Sequence, residues 1–570
     1  MIVAGRHKVV TFSHYYVINF PRFESFNNLL IGEYVMKTHT TKLMNKKFAA
    51  SSLLMGALFA TESFASPVTA DFNGDGYQDL VVGVSDEDFS GLYGAGAVKV
   101  VYGRASGQMS SSSSTAYIHQ GKYGEPGINL YGVGEASDQF GKKISVGDFN
   151  DDGFDDLAVS VPNEKVGSSL SAGLVNIIYG SSDGLTRMNN HMLNLLNYKY
   201  GKYFNEYNRF GTGLAVGDYD GDGIEDLAVS FLGSYQYPEE VFIRGGVAVF
   251  FGDANKGLKL AESAPKTHVF LEPWKYNAVY GTWGHNLASG DFNHDGRSDI
   301  AIGSPYEKIG STQTGLVHVA FGRNDWNANP RTLKRIEPVV KEAGGAFGAA
   351  LAAGNFYADS RDELIIGMPG ADQNRPYRSG MIVIARFGVN NTVNQSTLHQ
   401  NHPLIPGKSV LHDRFGSTLT VADFNGDGND DLAIGIPSKT KESYWSWKQI
   451  DNYGEVAVLY SNGSSFYKGS VWHQDSTGVE GGREDNDIFG SALSAGDFNN
   501  DGITDLLIAA RGEDLGSTYD AGSVQLIWGN SNGLTASIPG RQLFHQGSFG
   551  GAGFGSSENE RYDRFGSALP

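Results

Sequence analysis

One acidic pattern governs this chain. Asp-x-Asn/Asp-x-Asp-Gly-x-x-Asp begins at Asp71, Asp148, Asp218, Asp291, Asp423 and Asp497, with a decayed copy at Asn355. The steps between copies are 77, 70, 73, 64, 68 and 74 residues. A unit repeated at a near-constant period folds as one supersecondary element whose copies bury their faces against each other.

The best-preserved copy shows what the unit is. Leu419 and Val421 alternate with small or polar residues, the pattern of a half-buried strand. Leu432, Ala433 and Ile434 follow the loop as an apolar run too short for a helix. A Gly-led third strand comes next, at Gly96–Gly103, Gly173–Gly180, Gly246–Gly252, Gly315–Gly322, Gly454–Tyr460 and Gly522–Gly529. A looser fourth strand often carries His-Gln, at His119, His399, His473 and His545. Those histidines recur once per unit at one register, so they would be spread around a ring, and we read them as structural. Four strands per unit predict an all-β chain, a β-propeller of four-stranded antiparallel blades.

Phe-Gly opens the unit at Phe140, Phe210, Phe347, Phe415 and Phe489, with Trp283-Gly284 as a variant. The first unit lacks this strand, and the chain ends on a spare one, Phe565-Gly566-Ser567-Ala568-Leu569-Pro570. Aligning Phe565 with Phe415 lets Val68–Asp71 continue where Leu569 stops. The C-terminal strand is therefore expected to complete the first blade, giving seven blades and no open edge.

The loops have a chemical reading. Oxygen ligands at positions 1, 3, 5 and 7 wrap Ca²⁺, and Gly at position 6 permits the turn. Side chains are supplied by Asp71, Asn73, Asp75 and Asp79; Asp148, Asn150, Asp152 and Asp156; Asp218, Asp220, Asp222 and Asp226; Asp291, Asn293, Asp295 and Asp299; Asp423, Asn425, Asp427 and Asp431; and Asp497, Asn499, Asp501 and Asp505. Position 7 offers a main-chain carbonyl, at Tyr77, Phe154, Ile224, Arg297, Asn429 and Ile503. Position 9 completes the shell. Ile434 stands where an EF-hand needs Glu, so these are not EF-hands. A lone copy also reads as an Asp/Asn/Gly turn, but turn propensity does not preserve all four oxygen positions in six copies. About six Ca²⁺ sites are expected. In the fifth loop, Asn355–Glu363, Tyr357 and Ser360 replace a ligand and the turn Gly, so that loop is expected to be empty, with Arg361 placing positive charge there.

The units resemble the FG-GAP repeats of the integrin α-subunit N-terminal propeller and its bacterial relatives. The resemblance rests on Phe415-Gly416, on Asp423-Phe424-Asn425-Gly426-Asp427-Gly428, and on Ile434-Gly435-Ile436-Pro437 in place of Gly-Ala-Pro. It implies seven blades, Ca²⁺ between the first two strands of a blade, and adhesion or ligand binding. The Gly-Ala-Pro ending survives only loosely, as Gly303-Ser304-Pro305 and Gly367-Met368-Pro369.

Residues 44–65 read as a signal peptide, with Lys46 and Lys47 before the apolar Phe48–Ala60 and a small-residue ending at Ala65. Residues 1–43 read as a non-native upstream extension, and 66–570 as the propeller. The product is then secreted, periplasmic or held at the cell surface. A net charge of −19 gives no basic footprint for nucleic acid, and no transmembrane stretch follows the leader. The absence of Cys removes thiolate metal sites and Cys nucleophiles. No Gly-x-Ser-x-Gly nucleophile elbow, with its Ser on a turn from strand into helix, and no His-Glu-x-x-His is present, so no catalytic constellation is recognised and a binding role is expected over an enzymatic one. An extracellular protein or glycan is the expected partner. Strand parity puts the second-to-third and blade-to-blade loops on the face opposite the acidic loops. Those loops carry Tyr203, Tyr207, Tyr235, Tyr237, Trp274, Tyr276, Tyr444, Trp445 and Trp447, the candidate ligand-binding aromatics. A polysaccharide lyase or hydrolase on the same scaffold, or a structural surface component, is the alternative.

Overall fold

The computed structural model describes residues 70–570, except 89–90, 105–113, 121–129, 131, 187–189, 197–206, 237–240, 244, 255, 259–267, 272–282, 327–332, 373–376, 441–451, 538–542 and 549–561. The leader and upstream extension fall outside the described residues, as do Tyr203, Tyr237, Trp274, Tyr276, Tyr444, Trp445 and Trp447.

Seven antiparallel sheets follow one another along the chain, six of four strands and the first of three, making a seven-bladed β-propeller. In the sixth blade the strands are Thr418–Ala422, Asp431–Ile436, Glu455–Ser461 and Phe466–Trp472, paired in that order. Thr418 opposes Gly435 and Ala422 opposes Asp431, so the acidic loop closes the first hairpin. Helical structure among the described residues is limited to two three-residue 3₁₀ turns, Val389–Asn391 and Gln546–Ser548.

Alternation in the first strand suggested one wet face. Instead every residue of Thr418–Ala422 and of Asp431–Ile436 is buried. The second face is covered by the neighbouring blade: Leu419, Val421 and Leu432 share one apolar cluster with Ala350, Ala352 and Ile365 of blade five. Small residues on that face allow the approach. A Cβ added at Gly354 would lie 2.3 Å from Val421 Cγ1. The His-Gln pairs also sit differently from expectation. They follow the fourth strand rather than lie in it; after Phe466–Trp472, for example, His473 starts a turn in which its carbonyl accepts from Ser476 N at 2.8 Å.

The ring closes as the register implies. Gly83 pairs with Ala568, and Gly83 N donates to Ala568 O at 2.8 Å. Gly83 occupies the place that Gly435 holds opposite Thr418 in blade six, so the terminal strand docks in the same register. Phe565 and Leu569 are fully buried in a cluster shared by blades one, two and seven. Gly522, at φ 78°, is needed here, because a Cβ would lie 2.4 Å from Phe565 N.

Removing residues 565–570 exposes a strand edge and forfeits two buried side chains, each contributing roughly 1.5–3 kcal/mol. The truncated chain should melt several degrees lower or lose its cooperative transition. A melting curve that overlays the full chain would rule out closure by the C-terminus.

Candidate functional site

Each acidic loop is held by its own carboxylates. In the first, Asp71 Oδ1 accepts from Asp75 N at 3.1 Å and Oδ2 from Gly76 N at 2.8 Å. Asn73 Oδ1 accepts from Asp75 N at 2.9 Å, and Asp75 Oδ1 from Tyr77 N at 3.0 Å. The same bonds recur in the seventh blade, from Asp501 N and Gly502 N to Asp497 and from Ile503 N to Asp501. Main-chain amides thus draw the oxygens of positions 1, 3 and 5 inward. In blade three, carboxylate oxygens of Asp218, Asp220 and Asp222 lie within 4.8 Å of one another. Like charges at ~4 Å repel by ~1 kcal/mol in water and by more when partly buried. Hard oxygens converging this closely suit a hard cation such as Ca²⁺.

Position 9 has a second duty. Asp431 is buried, and its Oδ2 accepts from Phe424 N at 3.1 Å while its Oδ1 accepts from Ser461 N at 2.8 Å. Asp79, Asp156, Asp226, Asp299 and Asp505 repeat this, joining the position-2 amide to the Gly amide that ends the third strand. One carboxylate therefore ties three strands together. Burial is the main force that pushes these groups up, to about 7 for Asp79 and about 8 for Asp156, Asp226, Asp299, Asp431 and Asp505. The carboxylates at positions near the loop tip add to it, as Asp423 and Asp427 do for Asp431.

Positions 7 and 8 carry roles that the motif alone did not show. The amides of Tyr77, Phe154, Ile224, Arg297, Asn429 and Ile503 all donate to the position-5 carboxylate. Position 8 clasps the preceding blade. Asp155 accepts from Asp71 N at 2.7 Å, Glu225 from Asp148 N at 2.9 Å, Asp362 from Asp291 N at 2.8 Å and Asp430 from Asn355 N at 2.7 Å. The acidic residue recurring at position 8 was the available signal.

Blade five supplies its own positive charge, and Arg361 is the smaller part of it: its amide donates to Asp359 at 3.4 Å and its charge adds a weak pull on that carboxyl. The larger part is Arg386, at the end of strand Met381–Phe387. Its Nη2 lies 2.7 Å from Asp359 Oδ2, its Nε 3.3 Å from Glu363 Oε1, and its guanidinium 4.3 Å from the centre of the Tyr357 ring. Arg361 was favoured because it is inside the loop; Arg386 reaches the same carboxylates from the facing strand. The signal lay in the third strand, where the corresponding position is Tyr102, Tyr179, Phe251, Phe321, Tyr460 and Trp528 in the other blades.

Of the candidate aromatics, Tyr235 lies in strand Ser234–Gln236, and Tyr207 is 53% exposed at a positive φ of 66°. Tyr207 lines a cavity of about 330 Å³ with Glu135, Asp138, Lys165 and Arg209. These residues come from two blade-to-blade links and a second-to-third loop, which meet at this cavity.

A β-propeller whose hairpins carry recurrent acidic loops defines the class. The FG-GAP repeat model matches residues 63–101, 140–175, 210–242, 283–319, 415–459 and 489–527, leaving out blade five with its altered loop. The chain belongs to the FG-GAP repeat proteins and is similar in its blades to integrin α subunits. It is 26% identical over 426 residues to phosphatidylinositol-glycan-specific phospholipase D of Bos taurus, covering 69% of this chain and 47% of that protein. It is 33% identical over 192 residues to integrin alpha-8 of Gallus gallus, covering 33% of this chain and 16% of that one. Among solved structures, the BP39L lectin from Burkholderia pseudomallei aligns with a TM-score of 0.41 at 11% identity, over 82% of this chain and 99% of its own. The chain spans about half the length or less of these curated relatives.

Two outcomes follow from the loop chemistry. A carboxyl whose folded-state value lies above its unfolded one binds more protons in the fold, so stability falls as pH rises from the unfolded value to the folded one. In chelator, the melting temperature should therefore fall from about pH 5 to about pH 8, and saturating Ca²⁺ should reverse that slope. A chelated melt that rises over this window would contradict the position-9 account. Separately, Arg386→Gln leaves Glu363 buried without its cation and should destabilise by roughly 1–3 kcal/mol, with no change in bound Ca²⁺. Differential scanning fluorimetry with metal analysis reads both quantities.

Proposed function

We propose that this chain is an exported, Ca²⁺-stabilised propeller that binds an extracellular protein or glycan, and that it acts as an adhesion or recognition module and not as an enzyme. The observation that carries this reading is the division of labour between the faces. The acidic loops occupy one face, with Asp218, Asp220 and Asp222 converging there. The other face presents the Tyr207 cavity, with charged groups of both signs around an exposed aromatic. Aromatics with polar tips, ringed by fixed charges, suit protein and sugar surfaces.

In each of six loops, positions 1, 3, 5 and 9 would hold the ion, which supplies positive charge to a cluster that otherwise repels itself. Extracellular Ca²⁺ modules bind at about 10⁻⁴–10⁻³ M, so millimolar external Ca²⁺ would fill them. Binding only the folded form stabilises it by mass action. No helix among the described residues is long and apolar enough to cross a membrane. The phospholipase activity named for the relatives is not carried over, since the match spans under half of that protein.

The test is a glycan and matrix-protein array probed with and without Ca²⁺. A specific, Ca²⁺-dependent ligand is expected, and Tyr207→Ala should weaken it about tenfold, or ~1.4 kcal/mol. Cleavage of a polymeric substrate by the purified chain would overturn the binding reading.

A further inference from the structure

Away from the acidic loops, several blade seams contain a polar knot built on one plan. At the seam of blades five and six it contains a cation. Asp413 stands two residues before Phe415-Gly416, Gln400 follows His399, and Lys439 lies three residues past strand Asp431–Ile436. Lys439 Nζ is 2.8 Å from Asp413 Oδ2 and donates to Lys408 O at 2.6 Å, and both charged side chains are buried. With its amide oriented to satisfy its neighbours, Gln400 donates to Asp413 Oδ2 at 2.7 Å and accepts from Lys439 Nζ at 2.9 Å. An ammonium group thus fills an oxygen-lined nest, and the pair is neutral overall.

The seam of blades six and seven keeps the plan and changes one residue. Asp487 precedes Phe489-Gly490, Gln474 follows His473, and Glu513 lies three residues past strand Asp505–Ala510. The main-chain scaffold is the same. Glu513 N donates to Ala510 O at 3.2 Å as Lys439 N does to Ile436 O at 3.0 Å. Asp487 Oδ2 accepts from Glu484 N at 2.6 Å as Asp413 Oδ2 does from Val410 N at 2.6 Å. Yet a carboxylate replaces the lysine, and Gln474 Nε2 turns to donate to Glu513 Oε2. Asp487 Oδ1 and Gln474 Oε1 are left without a donor, on side chains 1% and 3% exposed; Asp413 Oδ1 also lacks a donor, but Asp413 has the Lys439 ammonium beside it and Asp487 has no such cation.

The charges around the nest deepen the deficit. Glu484, Asp485 and Asp514 act on Asp487, and with burial as the main cause they push it up to about 7. Glu513 is pushed up to about 8, again chiefly by burial and then by Asp487. The neighbouring cation, Arg483, is engaged by Glu455 at 3.6 Å and Asp475 at 3.4 Å. Two buried carboxylates with two undonated oxygens are a costly arrangement unless a positive charge completes it. A divalent ion would restore the neutrality that Lys439 gives the preceding seam, and carboxylate oxygens with Gln474 Oε1 as the amide ligand select a hard one.

We propose that the seam of blades six and seven binds a divalent hard cation, Ca²⁺ in an extracellular setting, through Asp487, Glu513 and Gln474, where the preceding seam uses Lys439. This site is separate from the hairpin loops. The same three residue types recur as Asp138, Glu164 and Gln120 at the seam of blades one and two, where Gln120 Nε2 donates to Glu164 Oε2 at 3.0 Å.

The test is an internal transplant. Glu513→Lys rebuilds the ammonium of the preceding seam and leaves the Asp497–Asp505 loop untouched; Glu513→Gln is a near-isosteric companion. Bound Ca²⁺ per chain, measured by atomic emission after equilibrium dialysis, should fall by one in both variants. Glu513→Lys should also melt higher than the parent in chelator. An unchanged count in both variants would overturn the proposal and leave a carboxyl pair sharing a proton.

Discussion

Each blade depends on one buried carboxylate. At position 9 it takes the amide that starts the acidic loop and the amide that ends the third strand, and so stitches three strands with two hydrogen bonds, as Asp431 does through Phe424 N and Ser461 N. Such a bond to a charged acceptor is strong, but the charge is buried beside the carboxylates of positions 1 and 5. The stitch therefore creates an electrostatic problem that a cation would solve. Blade five shows the same logic with a different answer: Glu363 keeps the bond from Phe356 N, and Arg386 brings the positive charge from the protein itself.

The blades are then joined to each other by the same stretch of chain. Position 8 reaches back to the loop before it, while the Gly that leads each third strand lies against the Phe that opens the next blade. Gly454 faces Phe489, and Gly522 faces Phe565 in the closing strand. Burial on both faces of every inner strand follows from this stacking, and it explains the abundance of Gly and Ala where one would expect polar residues on an open sheet face. On the opposite side, the Gln after the fourth strand of blades one, five, six and seven reaches toward the next blade, as Gln546 does to Glu87 at 2.9 and 3.0 Å. The wheel is held by ties at both rims, with apolar packing between them.

Much of this was legible in the residues themselves. The loops could be read because Asp, Asn and Gly at fixed offsets have few other uses in such number, and closure could be read because the two fragments complement each other in register. The second face of the first strand was not legible, since small residues look alike whether they meet water or a neighbouring sheet. Arg386 was hidden because the residue that neutralises a loop need not be in it; only comparing third strands blade by blade exposes an Arg where aromatics otherwise stand. Of the candidate aromatics, Tyr207 is the one whose surroundings the described residues define.

The central claim is that six hairpins hold cations and the seventh carries its own. An anomalous difference map from crystals grown with Ca²⁺ tests it most directly. The account predicts a peak within coordination distance of Asp71, Asp148, Asp218, Asp291, Asp423 and Asp497, and none between Asp359 and Glu363, where the Arg386 guanidinium lies. Loops without peaks at saturating Ca²⁺, or a peak in the fifth blade, would contradict it.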